Sequence, residues 1–127
     1  MARSQPRPTD AELAILRVLW ERGASTVRQV HETLADTRDT GYTTTLKLMQ
    51  IMADKGLVRR NETARTHVYS AIAGQEQTQR QLVQDLVDRA FGGSAAQLVL
   101  RALSPEHATD AELKDIRKLI DDYREKR

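Results

Sequence analysis

Four polar side chains recur at helical spacing near the middle of the chain and would form one line along a helix. They are Thr43, Lys47, Gln50 and Asp54, at relative positions i, i+4, i+7 and i+11. In the major groove of DNA, lysine can bind a guanine edge or a phosphate, and glutamine can pair with adenine. Small threonines at the helix start permit close approach, so that the free amides there can bind phosphate. A DNA recognition helix presents such a line, although the outer face of any surface helix is also polar.

The opposite side of the same segment is apolar and would anchor it in the fold. Thr45, Leu48, Met49 and Met52 follow the spacing i, i+3, i+4 and i+7, which predicts a buried stripe on a helix over about residues 43–55. A recognition helix needs both faces, because the buried stripe makes the helix rigid while the outer line enters the groove.

Basic residues are concentrated around the end of this helix. Eleven Lys and Arg against eight Asp and Glu give residues 1–72 a charge of +3, whereas nine against ten give residues 73–127 a charge of −1. Positive charge beside a recognition element is what contact with DNA phosphates requires. The densest basic cluster consists of Lys55, Arg59, Arg60 and Arg65.

Two short strand-like segments with a polar turn between them predict a β-hairpin over residues 57–72. Its tip holds Arg65 and Thr66, which we expect to contact the DNA backbone or a minor groove. Phosphate contacts position a protein on the duplex and base contacts specify the sequence, so we assign the first role to Arg59, Arg60 and Arg65.

Capping boxes, in which a threonine and a Glu or Gln three residues later satisfy free amides, predict the start of two earlier helices. These helices should cover about residues 10–21 and 27–35. The order helix, helix, helix, strand, turn, strand is typical of a winged helix-turn-helix domain, which we expect at residues 1–72. The predicted fold class is therefore mainly α with a small β-hairpin.

Residues 73–127 are predicted to form a helical dimerisation domain with helices over about residues 77–91, 95–103 and 110–125. Their apolar stripes find no compact apolar partner in the same segment, so a second copy of the chain would have to supply it. We therefore expect a homodimer. The residues assigned to dimerisation are Leu82, Leu86, Val87, Leu98, Leu100, Leu113, Ile116, Leu119, Ile120 and Tyr123.

The sequence offers little to other function classes. It has no cysteine, and its three histidines do not share a helix at metal-binding spacing, so we expect no metal and no other cofactor. No set of nucleophile and base suggests an enzyme. No apolar run could span a bilayer and the first residues are polar, which favours a cytoplasmic protein without membrane insertion. The alternative function is a winged helix whose arginines bind an acidic protein partner instead of DNA.

Four sequence runs occur in a specific order and spacing: TDAELAILRVLW at 9–20, TVRQVHETL at 26–34, YTTTLKLMQ at 42–50 and KGLV at 55–58. Together they resemble the penicillinase-repressor family of BlaI and MecI type. The resemblance implies a winged-helix transcriptional repressor that binds dyad-symmetric operator DNA as a dimer and dimerises through its C-terminal helices. With the contacts that the family implies, the expected DNA-binding residues are Tyr42, Thr43, Thr44, Lys47, Gln50, Arg59, Arg60, Arg65 and Thr66.

The resemblance also implies a way of releasing the repressor. Several family members are induced when a membrane-bound metalloprotease sensor triggers a cut in the dimerisation region, and the corresponding bond here joins Arg101 and Ala102. The better-known relatives have Asn-Phe at that position, and many relatives have a basic residue where this chain has Ile51. The sequence therefore leaves open both the release mechanism and the operator.

Overall fold

A computed structural model describes residues 7–63, 65–104 and 106–127. By contacts the chain divides into two compact units, residues 1–82 and 83–127, and this division falls inside the fourth helix. The mainly helical composition with a small sheet agrees with the predicted class. The elements are α1 Asp10–Arg22, β1 Ser25–Thr26, α2 Val27–Ala35, α3 Tyr42–Lys55, β2 Val58–Asn61, β3 Val68–Ala71, α4 Gln75–Ala90, α5 Ala95–Ala102 and α6 Asp110–Glu125.

The helix ends follow from local capping chemistry. At the start of α1 the Thr9 hydroxyl accepts a hydrogen bond from the Glu12 amide at 3.2 Å, and the Glu12 carboxylate accepts one from the Thr9 amide at 2.9 Å. An equivalent pair begins α2. Helix α3 begins after Gly41, which has no side chain to cap it, and ends at Gly56. Gly56 has a φ of 82°, a left-handed conformation that favours glycine at the end of a helix.

The sheet is antiparallel, with the strand order β1-β3-β2. Strands β2 and β3 form the predicted hairpin, in which Arg60 lies opposite Tyr69. Strand β1 was not predicted, because two residues are too short to show an alternating pattern. It pairs Ser25 with Tyr69, and its second residue, Thr26, also caps α2. The sheet therefore ties the hairpin directly to the start of α2.

An apolar core joins α1, α2 and α3 to the sheet. The predicted stripe of α3 is confirmed, since Thr45, Met49 and Met52 are fully buried. At the edge of the core, the Trp20 indole donates a 2.9 Å hydrogen bond to the Ala73 carbonyl. The buried members of the cluster are Ile15, Leu16, Val18, Leu19, Val27, Val30, Leu34, Met49, Met52, Leu57, Val58, Tyr69 and Ala73.

The unit at residues 83–127 buries far less. No residue of α5 or α6 is buried, and the apolar side chains of Leu100 and Tyr123 are 62% and 60% exposed. Val87, which the sequence assigned to dimerisation, is only 3% exposed in the single chain. The chain turns immediately after α4, where the amides of Phe91 and Gly93 both donate hydrogen bonds to the Val87 carbonyl. Val87 is therefore an internal packing residue.

Candidate nucleic-acid interface

The outer face of α3 lies open to solvent. Thr43, Lys47, Gln50 and Asp54 are all exposed, and Thr44 lies exposed beside them. The core holds the opposite side of the helix. The two-faced helix that the spacing predicted is thus present, with its hydrogen-bonding side chains outward.

At the start of α3, Tyr42 is held between two side chains of α2. The guanidinium carbon of Arg28 lies 5.7 Å from the centroid of the Tyr42 ring. The ring of His31 meets the same tyrosine edge-on, with 5.8 Å between centroids and an angle of 88° between planes. The Nδ1 atom of His31 is buried without a hydrogen-bond partner among the described residues. Sequence reasoning missed Arg28, because only the fold brings it to the start of α3.

A cleft of about 400 Å³ lies between α2, α3 and the hairpin. It brings together several residues that the sequence had placed on the DNA-binding surface, from the first and third turns of α3 and from the tip of the hairpin. The lining residues are Val27, Arg28, Tyr42, Leu46, Gln50, Arg60, Arg65, Thr66, His67 and Tyr69.

The hairpin arginines differ in their surroundings. Arg60 forms a 2.7 Å ion pair with Glu62. A hydrogen bond with Tyr69 and the nearby Glu62 carboxylate raise the pKa of Arg60 above its ordinary value. In contrast, Arg59 and Arg65 are exposed and form no ion pair with any residue that the structure describes. A phosphate would meet these two cations unpaired, but at Arg60 it would compete with a carboxylate.

Lys55 does not belong to the basic cluster in which the sequence placed it. Its Nζ donates to both carboxylate oxygens of Glu12, at 2.9 and 3.0 Å, and so joins the end of α3 to the start of α1. Burial of the Glu12 carboxylate opposes its ionisation, but hydrogen bonds from the Thr9 amide and from Lys55 outweigh that effect and lower the pKa of Glu12. Glu12 is only 1% exposed, so the pair supports the fold and leaves Lys55 unable to act as a free phosphate contact.

The C-terminal residues that the sequence assigned to dimerisation are mostly accessible in the single chain. Leu82, Leu98 and Ile116 are half-buried, and the proposed cleavage pair, Arg101 and Ala102, is exposed at the end of α5. The exposed apolar members are Leu86, Leu100, Leu113, Leu119, Ile120 and Tyr123.

The described ranges contain neither a metal-binding cluster nor a membrane-spanning helix. There, no group of three or more histidine or acidic side chains is placed to hold a metal ion. No helix in the same ranges combines the length and the apolar character needed to cross a membrane.

Comparison with known proteins places this geometry in context. The family model of the penicillinase repressor matches residues 8–122. The transcriptional regulator BlaI of Mycobacterium tuberculosis is 36% identical over 92 residues, which cover 72% of this chain and 67% of that protein. The penicillinase repressor of Bacillus licheniformis is 18% identical over 122 residues, or 96% of this chain and 95% of that protein.

Two solved structures are similar to part of the chain. One is the solution structure of the DNA-binding domain of the repressor BlaI, and the other is monomeric Bacillus licheniformis BlaI in complex with the blaP half-operator. Each has a TM-score of 0.52 at 21% identity and covers 60% of this chain and 93% of the solved one. This likeness confirms the predicted winged-helix fold class.

Proposed function

The chain belongs to the penicillinase repressor family, and we propose that it represses transcription by binding double-stranded operator DNA as a homodimer. Membership of this family classes it as a DNA-binding regulator and not as an enzyme. The observation that carries the proposal is the exposed polar face of α3 on a helix whose other side is anchored by the buried Thr45, Met49 and Met52, because such a helix can enter a major groove without unfolding.

The proposed DNA contacts fall into two groups, those to the bases and those to the DNA backbone. Lys47 and Gln50 are the base-reading candidates, since both are exposed on the outer face of α3 and carry groups that match guanine and adenine edges. Thr43 and Thr44 stand at the helix start, where small side chains let the DNA backbone approach. Arg59, Arg65 and Thr66 supply contacts to the backbone, and Arg60 joins them when a phosphate replaces Glu62 as its partner.

Dimerisation would cover the apolar side chains that the C-terminal unit leaves open. Leu113, Leu119, Ile120 and Tyr123 lie along one side of α6 at helical spacing, and all are at least 40% exposed. A second copy of the chain presents the same stripe, so the two can bury each other around a two-fold axis. Two recognition helices related by that axis would meet successive major grooves of a dyad-symmetric operator.

Proteolytic release is part of the proposal for the dimer. The bond between Arg101 and Ala102 lies at the exposed end of α5, so a protease could reach it after little local unfolding. A cut there would separate α6 from the DNA-binding unit and remove the effective concentration that holds two units on one operator. The agent we propose is a membrane-bound metalloprotease sensor, acting on a repressor that works in the cytoplasm.

Replacement of one base-reading side chain tests DNA recognition. Lys47→Ala should weaken binding to operator, selected from genomic fragments with the wild-type protein, far more than binding to a scrambled duplex, because a lost base contact removes specificity. Lys126→Ala removes the same charge from an exposed position after α6 and is the matched control. Equal losses on both duplexes would demote Lys47 to a phosphate contact, and a wild-type protein without sequence preference would contradict the proposed function.

The oligomeric state tests the C-terminal assignment. Sedimentation should give a dimer for the full chain and a monomer for residues 1–82, the N-terminal compact unit. Leu119→Lys should weaken the dimer because it puts a charge into the apolar stripe, whereas Ala111→Lys adds the same charge on the other side of α6 and should not. A dimeric fragment 1–82, or equal effects of the two lysine variants, would refute the assignment.

A further inference from the structure

We propose that Arg28 of α2 binds a DNA backbone phosphate at the cleft between α2, α3 and the hairpin, and that Tyr42 and His31 position it. The inference rests on the proposed function, and it adds a phosphate contact from an element that is neither the recognition helix nor the wing. No sequence motif pointed to this residue. Three features support it, namely the charge of the cleft, its size and the contacts that hold Arg28 in place.

The cleft carries more positive charge than its own carboxylates balance. Arg28, Arg60 and Arg65 line it. Glu62 pairs with Arg60, but no described carboxylate pairs with Arg28 or Arg65. Two guanidinium groups of the lining are therefore left for an anion from outside, and arginine is well suited to bind phosphate oxygens through two parallel N–H donors.

The cleft is also large enough and well placed for a phosphodiester. Its volume of about 400 Å³ is far above the 30 Å³ or so that one water molecule occupies in the liquid. Gln50 and Tyr42, from the outer side and the start of α3, belong to the same lining. A DNA strand that follows the groove occupied by α3 would thus pass its backbone over this opening.

Tyr42 and His31 restrict where the guanidinium of Arg28 can go. The guanidinium stacks against the Tyr42 ring at 5.7 Å, and a ring face attracts a cation. His31 braces the same ring edge-on from one turn further along α2. With the ring fixed, Arg28 loses less conformational freedom when it binds an anion than a free surface arginine would lose. Tyr42 and His31 are positioning residues in this arrangement.

Salt dependence distinguishes a phosphate contact from a structural or a distant charge. Arg28→Gln removes one phosphate contact from each subunit of the dimer, so it should reduce the slope of log K against log salt concentration by about 1.8 and weaken binding roughly thirtyfold near 0.15 M salt, equally on operator and scrambled duplex. Arg17→Gln is the matched control, because Arg17 is exposed on α1 and does not line the cleft. Arg28→Lys should restore much of the slope. Equal slopes for Arg28→Gln and Arg17→Gln would overturn the inference.

A double-mutant cycle tests the role of Tyr42. Tyr42→Leu removes the ring and should abolish most of the effect that Arg28→Gln has on DNA binding, whereas Tyr42→Phe keeps the ring and should preserve that effect. Thermal melts of each variant separate this coupling from loss of fold. Additive effects of Tyr42→Leu and Arg28→Gln would refute the positioning role.

The source of the phosphate is a separate arm of the experiment. Inorganic phosphate added without DNA at constant ionic strength should not raise the melting temperature of the wild type more than that of Arg28→Gln, if the cleft binds phosphate only as part of a DNA backbone. A selective rise for the wild type would indicate a site for free phosphate and contradict the DNA assignment. If the wild type shows operator preference but Arg28→Gln changes no slope, the inference fails while the repressor function stands.

Discussion

Replacing Lys55 by methionine should destabilise the N-terminal unit by about 2 kcal/mol, although Lys55 lies outside the hydrophobic core. Removing one partner of a buried ion pair costs about 3–5 kcal/mol, whereas an exposed pair contributes about 0–1 kcal/mol. This pair lies between those limits, because the Glu12 side chain is 2% exposed and that of Lys55 is 36% exposed. Water can solvate the lysine but not the carboxylate that Lys55→Met leaves behind.

Urea unfolding followed by the fluorescence of Trp20 measures this change, since the only tryptophan of the chain lies in the N-terminal unit. Arg80→Met is the matched control. Arg80 pairs with Glu76 at 2.7 Å, but the two side chains are 74% and 84% exposed, so its loss should cost only a few tenths of a kcal/mol. Protein concentration must be held constant, because dimerisation would add to the apparent stability. If the two variants shift the urea midpoint equally, burial of Glu12 is not what makes the pair strong.

The Lys55–Glu12 pair should make the stability of the protein depend on pH. Because the pKa of Glu12 is lowered in the folded protein, stability should fall as the solution becomes more acidic. The carboxylate must be ionised to attract Lys55. The contribution of the pair to stability is therefore complete above pH 4.5, the ordinary pKa of glutamate, and is lost as the pH falls through the lower pKa of Glu12 in the folded protein. The stability difference between wild type and Lys55→Met should therefore be constant near neutral pH and narrow in the acid range. A difference that widens on acidification would contradict this assignment.

Three further changes probe other parts of the structure. Trp20→Phe removes the hydrogen bond to the Ala73 carbonyl and should cost about 1 kcal/mol, measured by circular dichroism during thermal unfolding. Gly56→Ala should cost about 1–2 kcal/mol in the same assay because its φ is 82°, whereas Gly56→Asn should cost less because asparagine tolerates the left-handed conformation; equal effects would refute the backbone explanation. Ile51→Lys should steepen the salt dependence of DNA binding by about 1.8, because Ile51 is 37% exposed on α3 and each subunit of the dimer gains one lysine; an unchanged slope would place Ile51 away from the phosphates.

The local parts of this fold could be predicted from the sequence, because they depend on residues a few positions apart. The capping boxes at Thr9 and Thr26 gave the starts of α1 and α2, and both are present. The 3.6-residue period separated the buried and exposed faces of α3, as the burial of Met49 and the exposure of Lys47 confirm. The resemblance to a repressor family is likewise supported by the family match.

What could not be predicted depends on contacts between distant residues. Lys55 and Glu12 are 43 positions apart, so no local pattern separates this structural lysine from its basic neighbours. Arg28 reaches the recognition helix only through the packing of α2 against α3. Val87 has the spacing of its exposed neighbours on α4 but is only 3% exposed, which the helical period alone does not show. Charge and periodicity identify candidates, and the fold decides which of them remain accessible.

The position of β3 in the centre of the sheet affects how tightly the hairpin can bind a DNA duplex. A hairpin attached to the fold at one end only would move freely in solution and would have to be immobilised when it binds DNA. That immobilisation costs about 1–2 kcal/mol of conformational entropy for each residue fixed. Here Ser25 pairs with the far side of β3, so the base of the hairpin is held by neighbouring strands on both sides of β3. A substitution that breaks this pairing should therefore lower DNA affinity through added chain entropy, although it touches no nucleotide.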